Sequence, residues 1–390
     1  MKIRKIGCVI AYTEGHNNYG TSLQGYAMLK KIQQLGYEVE VINYEKHLSL
    51  PQKIKFVVNA IRAGEWKNIM ERLRVKQVKK CHPQYALNIA ERTKAVNAYK
   101  AKKLLPLFHT YIGYEALHKG SLNYDAVVVG SDQVWTPMSL PNKFFNLLFV
   151  DDSVRKVAYA SSFGVSEIPP FQRKATGAYL DRFYKIGVRE ERGKEIVDEL
   201  SHQKATVVAD PTLLLTREEW TAEISEAKPD EKEPYIFCYF LGTNQEARMA
   251  ANELKQKTGY KIITIRHMDE YVPEDELFGD EAPYNVDPND FVRYISQAAY
   301  VCTDSFHCTV FSILFHRQFM TFYRFAIGSK TGRNSRIDSL FNLLGLQERL
   351  YKSDISKILA DINYELVESK LSALRSESID FLKNSLEQMK

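Results

Sequence analysis

The chain reads as an α/β protein: two Rossmann-like domains facing across a cleft, with a helical insertion in the first. Three observations predict this. Apolar runs such as Tyr124–Val129 and Tyr235–Leu241 alternate with amphipathic helical stripes, the pattern of parallel strands buried on both faces. That alternation stops near residue 51, resumes near 110, breaks over the polar stretch 216–233 and starts afresh at 234. Several strand runs also end in small or polar residues, which together describe one binding edge at the carboxyl ends of a parallel sheet. With 390 residues, two domains are expected. The boundaries read as 1–215 for the first domain, 216–233 for a linker, 234–350 for the second domain and 351–390 for C-terminal helices.

Taken in order, Ile6–Tyr12 is a buried strand. A polar loop follows, containing Gly15, His16, Asn17, Asn18 and Gly20. Leu23, Tyr26, Ala27, Leu29, Ile32 and Leu35 then form a helical stripe that stops at Gly36. Glu38–Tyr44 alternates as a second strand. The loop is not GxGxxG, so it does not mark a dinucleotide site, but its place after the first strand makes it a ligand wall.

Residues 51 to about 110 read as two or three basic amphipathic helices. One face holds Ile54, Val57, Val58 and Ile61; another holds Trp66, Ile69, Met70 and Leu73. Residues 51–105 carry 14 Lys and Arg against 3 acidic residues, so the overall net charge of +5 comes from this segment. Two readings fit: a solvated basic face over a packed stripe, or docking on an anionic membrane surface, where each Lys or Arg contributes about 1 kcal/mol. Nucleic acid is not expected, because no nucleic-acid motif accompanies the charge.

The rhythm then resumes. Tyr124–Val129 breaks at Gly130, Ser131 and Asp132, and Lys156–Ala160 at Ser161 and Ser162. Ile186–Val188 leads to Arg189 and Glu190, and Thr206–Ala209 to Asp210. In the second half, Tyr260–Ile265 is a strand, and an acidic loop runs from Asp269 to Pro288. Phe291–Gln297 is a short helix, Gln318–Tyr323 a strand, Gly328–Asn334 a basic loop and Arg336–Leu346 a helix. Leu371, Leu374, Ile379, Leu382, Leu386 and Met389 stripe a final helix.

The chemical centre is placed at Ala299–His316. A short strand stops at Asp304-Ser305 and feeds an apolar helix, so backbone N–H groups and the positive end of the helix dipole meet at one anion-attracting spot. His307 lies in the first turn, aiming an acid/base group at that spot. A purely structural reading makes Asp304 and Ser305 caps and His307 a packed histidine. His16, His267 and His307 show no ligand spacing, so no metal is expected. No cofactor is expected either. No run of 18 apolar residues occurs, the N-terminus reads as a strand rather than a signal peptide, and the five cysteines form no CxxC pair. The expected location is cytoplasmic, either free or peripheral at the inner face of the membrane.

Two such halves with a cleft between their strand ends form the architecture of many sugar-modifying transferases. NNYGTSLQGYAM (17–28), DAVVVGSDQVW (125–135), KVAYASSFG (156–164), GVREERG (187–193), DPTLLL (210–215) and TDSFHCTVFSILF (303–315), in this order, resemble the polysaccharide pyruvyl transferase family. The resemblance covers roughly residues 5–350 except the basic insertion. It implies a GT-B-like fold and transfer of pyruvate from phosphoenolpyruvate onto two sugar hydroxyls as a ketal. The implied acceptor is a bacterial surface glycan, either free or polyprenyl-diphosphate-linked. By motif, His307 matches the family's catalytic histidine, and Arg189 an arginine that holds phosphoenolpyruvate. Ser305 stands where some members carry a further arginine, so Arg336 or Arg333 would compensate. The donor site then comprises Arg189, Ser305, His307 and Arg336. The acceptor side comprises His16, Asn18, Gly20, Ser131, Asp132 and Ser161, with Asp210 pinning the domain connection. The competing readings are a GT-B glycosyltransferase using a nucleotide sugar and a non-enzymatic partner in a polysaccharide assembly complex.

Overall fold

The computed structural model describes residues 4–12, 15–45, 66–225, 233–268, 271–325 and 334–387. Strand β1 (Lys5–Val9) leads to helix α1 (Tyr19–Gln34) and β2 (Glu38–Glu45). Helices α2 (Trp66–Cys81) and α3 (Pro83–Lys103) precede β3 (Phe108–Ile112), α4 (Tyr114–Gly120) and β4 (Ala126–Val129). Then come β5 (Arg155–Ser161), α5 (Pro170–Leu180), β6 (Lys185–Val188), α6 (Glu191–Leu200) and β7 (Ala205–Val207). A single turn, α7 (Pro211–Leu214), and α8 (Arg217–Glu223) close the first half. The second half comprises β8 (Tyr235–Tyr239), α9 (Gln245–Thr258), β9 (Lys261–Thr264), α10 (Pro288–Gln297), β10 (Tyr300–Thr303), α11 (Phe306–Leu314) and β11 (Gln318–Thr321). Helices α12 (Ser335–Leu344) and α13 (Tyr364–Glu387) follow.

All strand pairings are parallel. The first sheet runs β3-β2-β1-β4-β5-β6-β7 and the second β11-β10-β8-β9. Strand order reverses between β1 and β4 in one sheet and between β8 and β10 in the other. Those two switch points are where crevices open in such sheets.

Two departures from the sequence reading have local causes. The helical insertion, expected to reach about 110, gives way to β3, an edge strand whose pattern is blurred by exposure of His109 and Thr110. The expected linker 216–233 begins as a capped helix: Thr216 and Glu219 form a capping box and Trp220 is fully buried. The C-terminal helix, expected within 351–390, packs back on the first half. Arg375 Nε donates to the Leu213 carbonyl, and Ala209 N–H donates to Ser378 Oγ. The first helical face expected in the insertion (Ile54 to Ile61) and most of the basic loop 328–334 lie outside the described residues.

The halves are joined across α1 and α3. Tyr19 stacks on Phe291 of α10 at 4.6 Å, and Arg92 of α3, 1% exposed, donates to the carbonyls of Tyr284 (2.7 Å) and Pro283 (2.9 Å). Lys100 donates to His16 O, and Lys103 pairs with Glu223. Part of the basic surplus of the insertion is thus engaged inside the molecule, while Lys79 and Lys80 remain exposed. Among the described residues no helix is long and apolar enough to cross a membrane.

Candidate active site

Two strand ends, one from each sheet, face each other. Strand β6 ends at Val188, and the next residues, Arg189 and Glu190, turn into α6. Opposite, β10 ends at Thr303 and α11 starts at Phe306. Ser305 caps α11, its hydroxyl accepting from Cys308 N–H. Asp304 accepts N–H bonds from Leu241 (2.6 Å) and Gly242 (2.8 Å), tying the loop after β8 to the start of α11. Asp304 is therefore structural, and Ser305 does the cap's work at the helix that carries His307.

Asp210 is the pivot of the site. Its Oδ1 accepts from Thr212 N–H and Oγ1. Its Oδ2 accepts from Arg189 Nη1 at 2.8 Å and lies 3.5 Å from His307 Nε2. Arg189 also reaches Asp132 Oδ1 at 3.5 Å, and Asp132 Oδ2 accepts from Thr21 Oγ1 at 2.9 Å. One guanidinium thus joins the ends of β4, β6 and β7, and its Asp210 partner faces the imidazole from the other half. The ring of Phe306 lies beneath two guanidiniums, Arg189 at 4.9 Å and Arg336 at 5.4 Å from its centroid.

Three buried polar atoms at this junction have no hydrogen-bond partner: Arg189 Nε, Glu190 Oε2 and His307 Nε2. His307 Nε2 is at ion-pair distance from Asp210 without an aligned hydrogen bond, so the two facts agree. Buried polar groups are almost always satisfied. A cluster of unsatisfied ones from both halves is what a site looks like when its polar ligand supplies the missing bonds.

The electrostatics divide the carboxyls. Burial pushes Asp132 up, but Arg189, His307 and Arg336 outweigh it and hold the group at about 2. Burial likewise opposes ionisation of Asp210, yet His307 and Arg189 draw it well below the usual carboxylate range. Glu190 is the exception: burial prevails over Arg189 and raises it.

The other expected residues sort by position. His16, Asn18 and Asp132 line a cavity of about 230 Å³ with Tyr12, Thr21 and Lys100, at the β1/β4 switch point. Asn18 also caps α1, accepting from Thr21 N–H. Gly20 lies under the His307 ring. Ser131 and Ser161 do not line this cavity; both are fully buried, their hydroxyls donating to the carbonyls of Ala160 and Val129. Their place at strand ends within matching motifs singled them out, and the structure turns both hydroxyls into the sheet. Arg336 comes close to the cluster, whereas Arg333 lies outside the described residues. Asp210 does more than pin the connection, and Glu190 and Thr21 were not singled out. A larger cavity, about 430 Å³, opens between the start of α3 and the loop after β9, but no member of the Arg189–His307 cluster lines it. Among the described residues no group of three His, Cys, Asp or Glu side chains could hold a metal ion.

A family model described as polysaccharide pyruvyl transferase matches residues 18–324. No curated protein matches the chain. Among solved structures, Arabidopsis thaliana UGT89C1 complexed with UDP-L-rhamnose is similar at 11% identity, covering 99% of this chain and 100% of that one, with a TM-score of 0.50. The UDP-GlcNAc 2-epimerase from Methanocaldococcus jannaschii is similar at 11% identity over 93% and 92%, with a TM-score of 0.48. That from Neisseria meningitidis, bound to UDP-GlcNAc, is similar at 10% over 98% and 94%, with a TM-score of 0.46. The first of these likenesses concerns the fold alone, which is of the GT-B kind.

Proposed function

The chain belongs to the polysaccharide pyruvyl transferase family, and from that premise we propose that it transfers pyruvate from phosphoenolpyruvate to two hydroxyls of a hexose in a bacterial surface polysaccharide precursor, forming a ketal. The observation that carries the reading is the meeting of Arg189 and His307, from opposite halves, with their Nε and Nε2 atoms unpartnered in one place.

Phosphoenolpyruvate carries a carboxylate and a phosphate. Its site needs planar cations and backbone donors. Arg189 and Arg336 flank Phe306, and the first turn of α11 adds a helix N-terminus beside them. Asp210 keeps Arg189 in register with His307, as a fixed anion behind both. In the proposed reaction His307 takes a proton from an acceptor hydroxyl as that oxygen attacks C2 of the enol ester. An acid/base group of this kind contributes about 10²–10⁴-fold. The cavity at His16, Asn18, Thr21 and Asp132 then receives the sugar. The acceptor is carried on polyprenyl diphosphate at the inner membrane face in this reading, with the exposed lysines of α2 against anionic lipid.

Incubation of the full chain with phosphoenolpyruvate and lipid-linked oligosaccharides ending in galactose or N-acetylmannosamine tests the proposal. A pyruvyl mass increment with release of inorganic phosphate is expected. Absence of the increment, or tight binding of a nucleoside diphosphate with sugar transfer instead, overturns it in favour of a nucleotide-sugar glycosyltransferase.

A further inference from the structure

Of the three carboxyls gathered around Arg189, only Glu190 has an oxygen left over. Both oxygens of Asp210 and both of Asp132 accept hydrogen bonds or a charge contact. Glu190 Oε1 accepts from Ser162 Oγ at 2.6 Å, and Ser162 Oγ in turn accepts from Gly164 N–H. Glu190 Oε2 is buried without a partner, 4.0 Å from the unpartnered Nε of Arg189. Glu190 is also the N-cap residue of α6, yet its side chain makes no cap bond. A carboxylate there would be favoured by the free N–H groups and the dipole of the helix. The chain forgoes that local contact and turns the carboxyl, 5% exposed, into the cluster.

We propose that Glu190 is a catalytic acid that delivers a proton from Oε2 to C3 of the enol ester. The proposal rests on the pyruvyl-transfer reading. Forming the ketal requires C3 to become a methyl group, and the donor of that proton must be neutral when the donor substrate is bound. The Ser162 bond fixes Oε1 as an acceptor, which leaves the proton on Oε2. Asp132 and Asp210 are unsuited, because the cations around them keep them ionised; burial acts the other way on Glu190. The step balances as follows. The C2–C3 π pair takes the Glu190 proton at C3. The first acceptor oxygen bonds C2 and gives its proton to His307. The second hydroxyl then bonds C2 while the C2–O bond to phosphate breaks, the phosphate leaving with that electron pair. Of the two hydroxyl protons, one restores Glu190, replacing the proton placed on C3, and the other leaves with phosphate.

The test uses the full chain, phosphoenolpyruvate and an acceptor that the wild type pyruvylates. Glu190→Gln keeps the shape and the Ser162 bond but carries no acid proton. Turnover is expected to fall about 10²–10⁴-fold while phosphoenolpyruvate affinity, read by titration, stays within a few-fold. Glu190→Asp should restore part of the rate. If Glu190→Gln does not fold, Ser162→Ala serves: losing a donor to the carboxylate weakens the acid, and the alkaline limb of the pH–rate profile should move to higher pH. Turnover of Glu190→Gln within ten-fold of wild type, a loss of rate matched by a loss of donor affinity, or an unmoved limb in Ser162→Ala overturns the assignment. A wild type silent towards every acceptor would instead refute the pyruvyl-transfer reading, so the two failures are distinct.

Discussion

The imidazole of His307 occupies the space where a side chain at Gly20 would begin. A Cβ placed on Gly20 would stand 2.1 Å from His307 Nδ1, far inside van der Waals contact. The first helix of one half therefore lacks a side chain where the imidazole of the other half rests. Gly20→Ala should push the ring off its seat. A displacement of this size costs about 10²-fold in turnover, and overpacking adds about 1–3 kcal/mol of lost stability. Steady-state kinetics beside a denaturant titration check this, and full turnover in the variant would show that the ring has room to move.

Arg189 reaches two carboxylates at once, Asp210 through Nη1 and Asp132 through Nη2. Lysine offers one compact charge and cannot span both. Arg189→Lys should raise KM for the donor and leave one carboxylate without its cation, at a cost of about 3–5 kcal/mol for a broken buried pair. Donor titration and urea midpoints read the two effects separately.

Stability should fall on acidification in a definite window. Asp132 is held at about 2 when folded, against roughly 3.9 in the unfolded chain. The unfolded state therefore binds more protons between those values, and the stabilisation present above them is lost as pH falls through the window. Asp210, lower still, extends the loss further. Glu190 has the opposite sign: its raised value favours the folded state at low pH, and that advantage is lost as pH rises through the folded value. Urea midpoints across pH should show Asp132→Asn with a flatter acid side, and Glu190→Gln at least as stable as wild type near neutrality.

Lys79 and Lys80 in the last turn of α2 are exposed, unlike Lys100 and Lys103, which are engaged within the fold. Replacing both by Ala should weaken sedimentation with phosphatidylserine vesicles by about 2 kcal/mol, roughly 30-fold. Binding unchanged by the replacement, or equal on neutral vesicles, counts against a membrane role for this segment.

The buried strands were legible because parallel strands covered on both faces become continuous apolar runs, as Ala126–Val129 and Tyr235–Tyr239 do. Strand β3 was not, since only Tyr111 is buried in its alternating edge pattern. Helix α8 was hidden because a single tryptophan anchors an otherwise charged segment. Arg189 and His307 could be singled out, since each sits at a strand end with a matching motif. Asp210 and Glu190 could not be ranked against the other acids, because their roles depend on which oxygens remain open after folding. Ser131 and Ser161 show the converse: polar residue type at a strand end, with the hydroxyl turned inward.

The return of α13 to the first half has a further reach. Ser378 and Arg375 brace Ala209 and Leu213, the residues on either side of Asp210, from behind. The family match ends at residue 324, so the rear support of the Arg189–Asp210–His307 cluster is written in sequence that the match does not cover. A chain ending at residue 324 would keep all six motifs and lose the buttress, and variation in the tail becomes a remote means of tuning how firmly the imidazole and the guanidinium are held together.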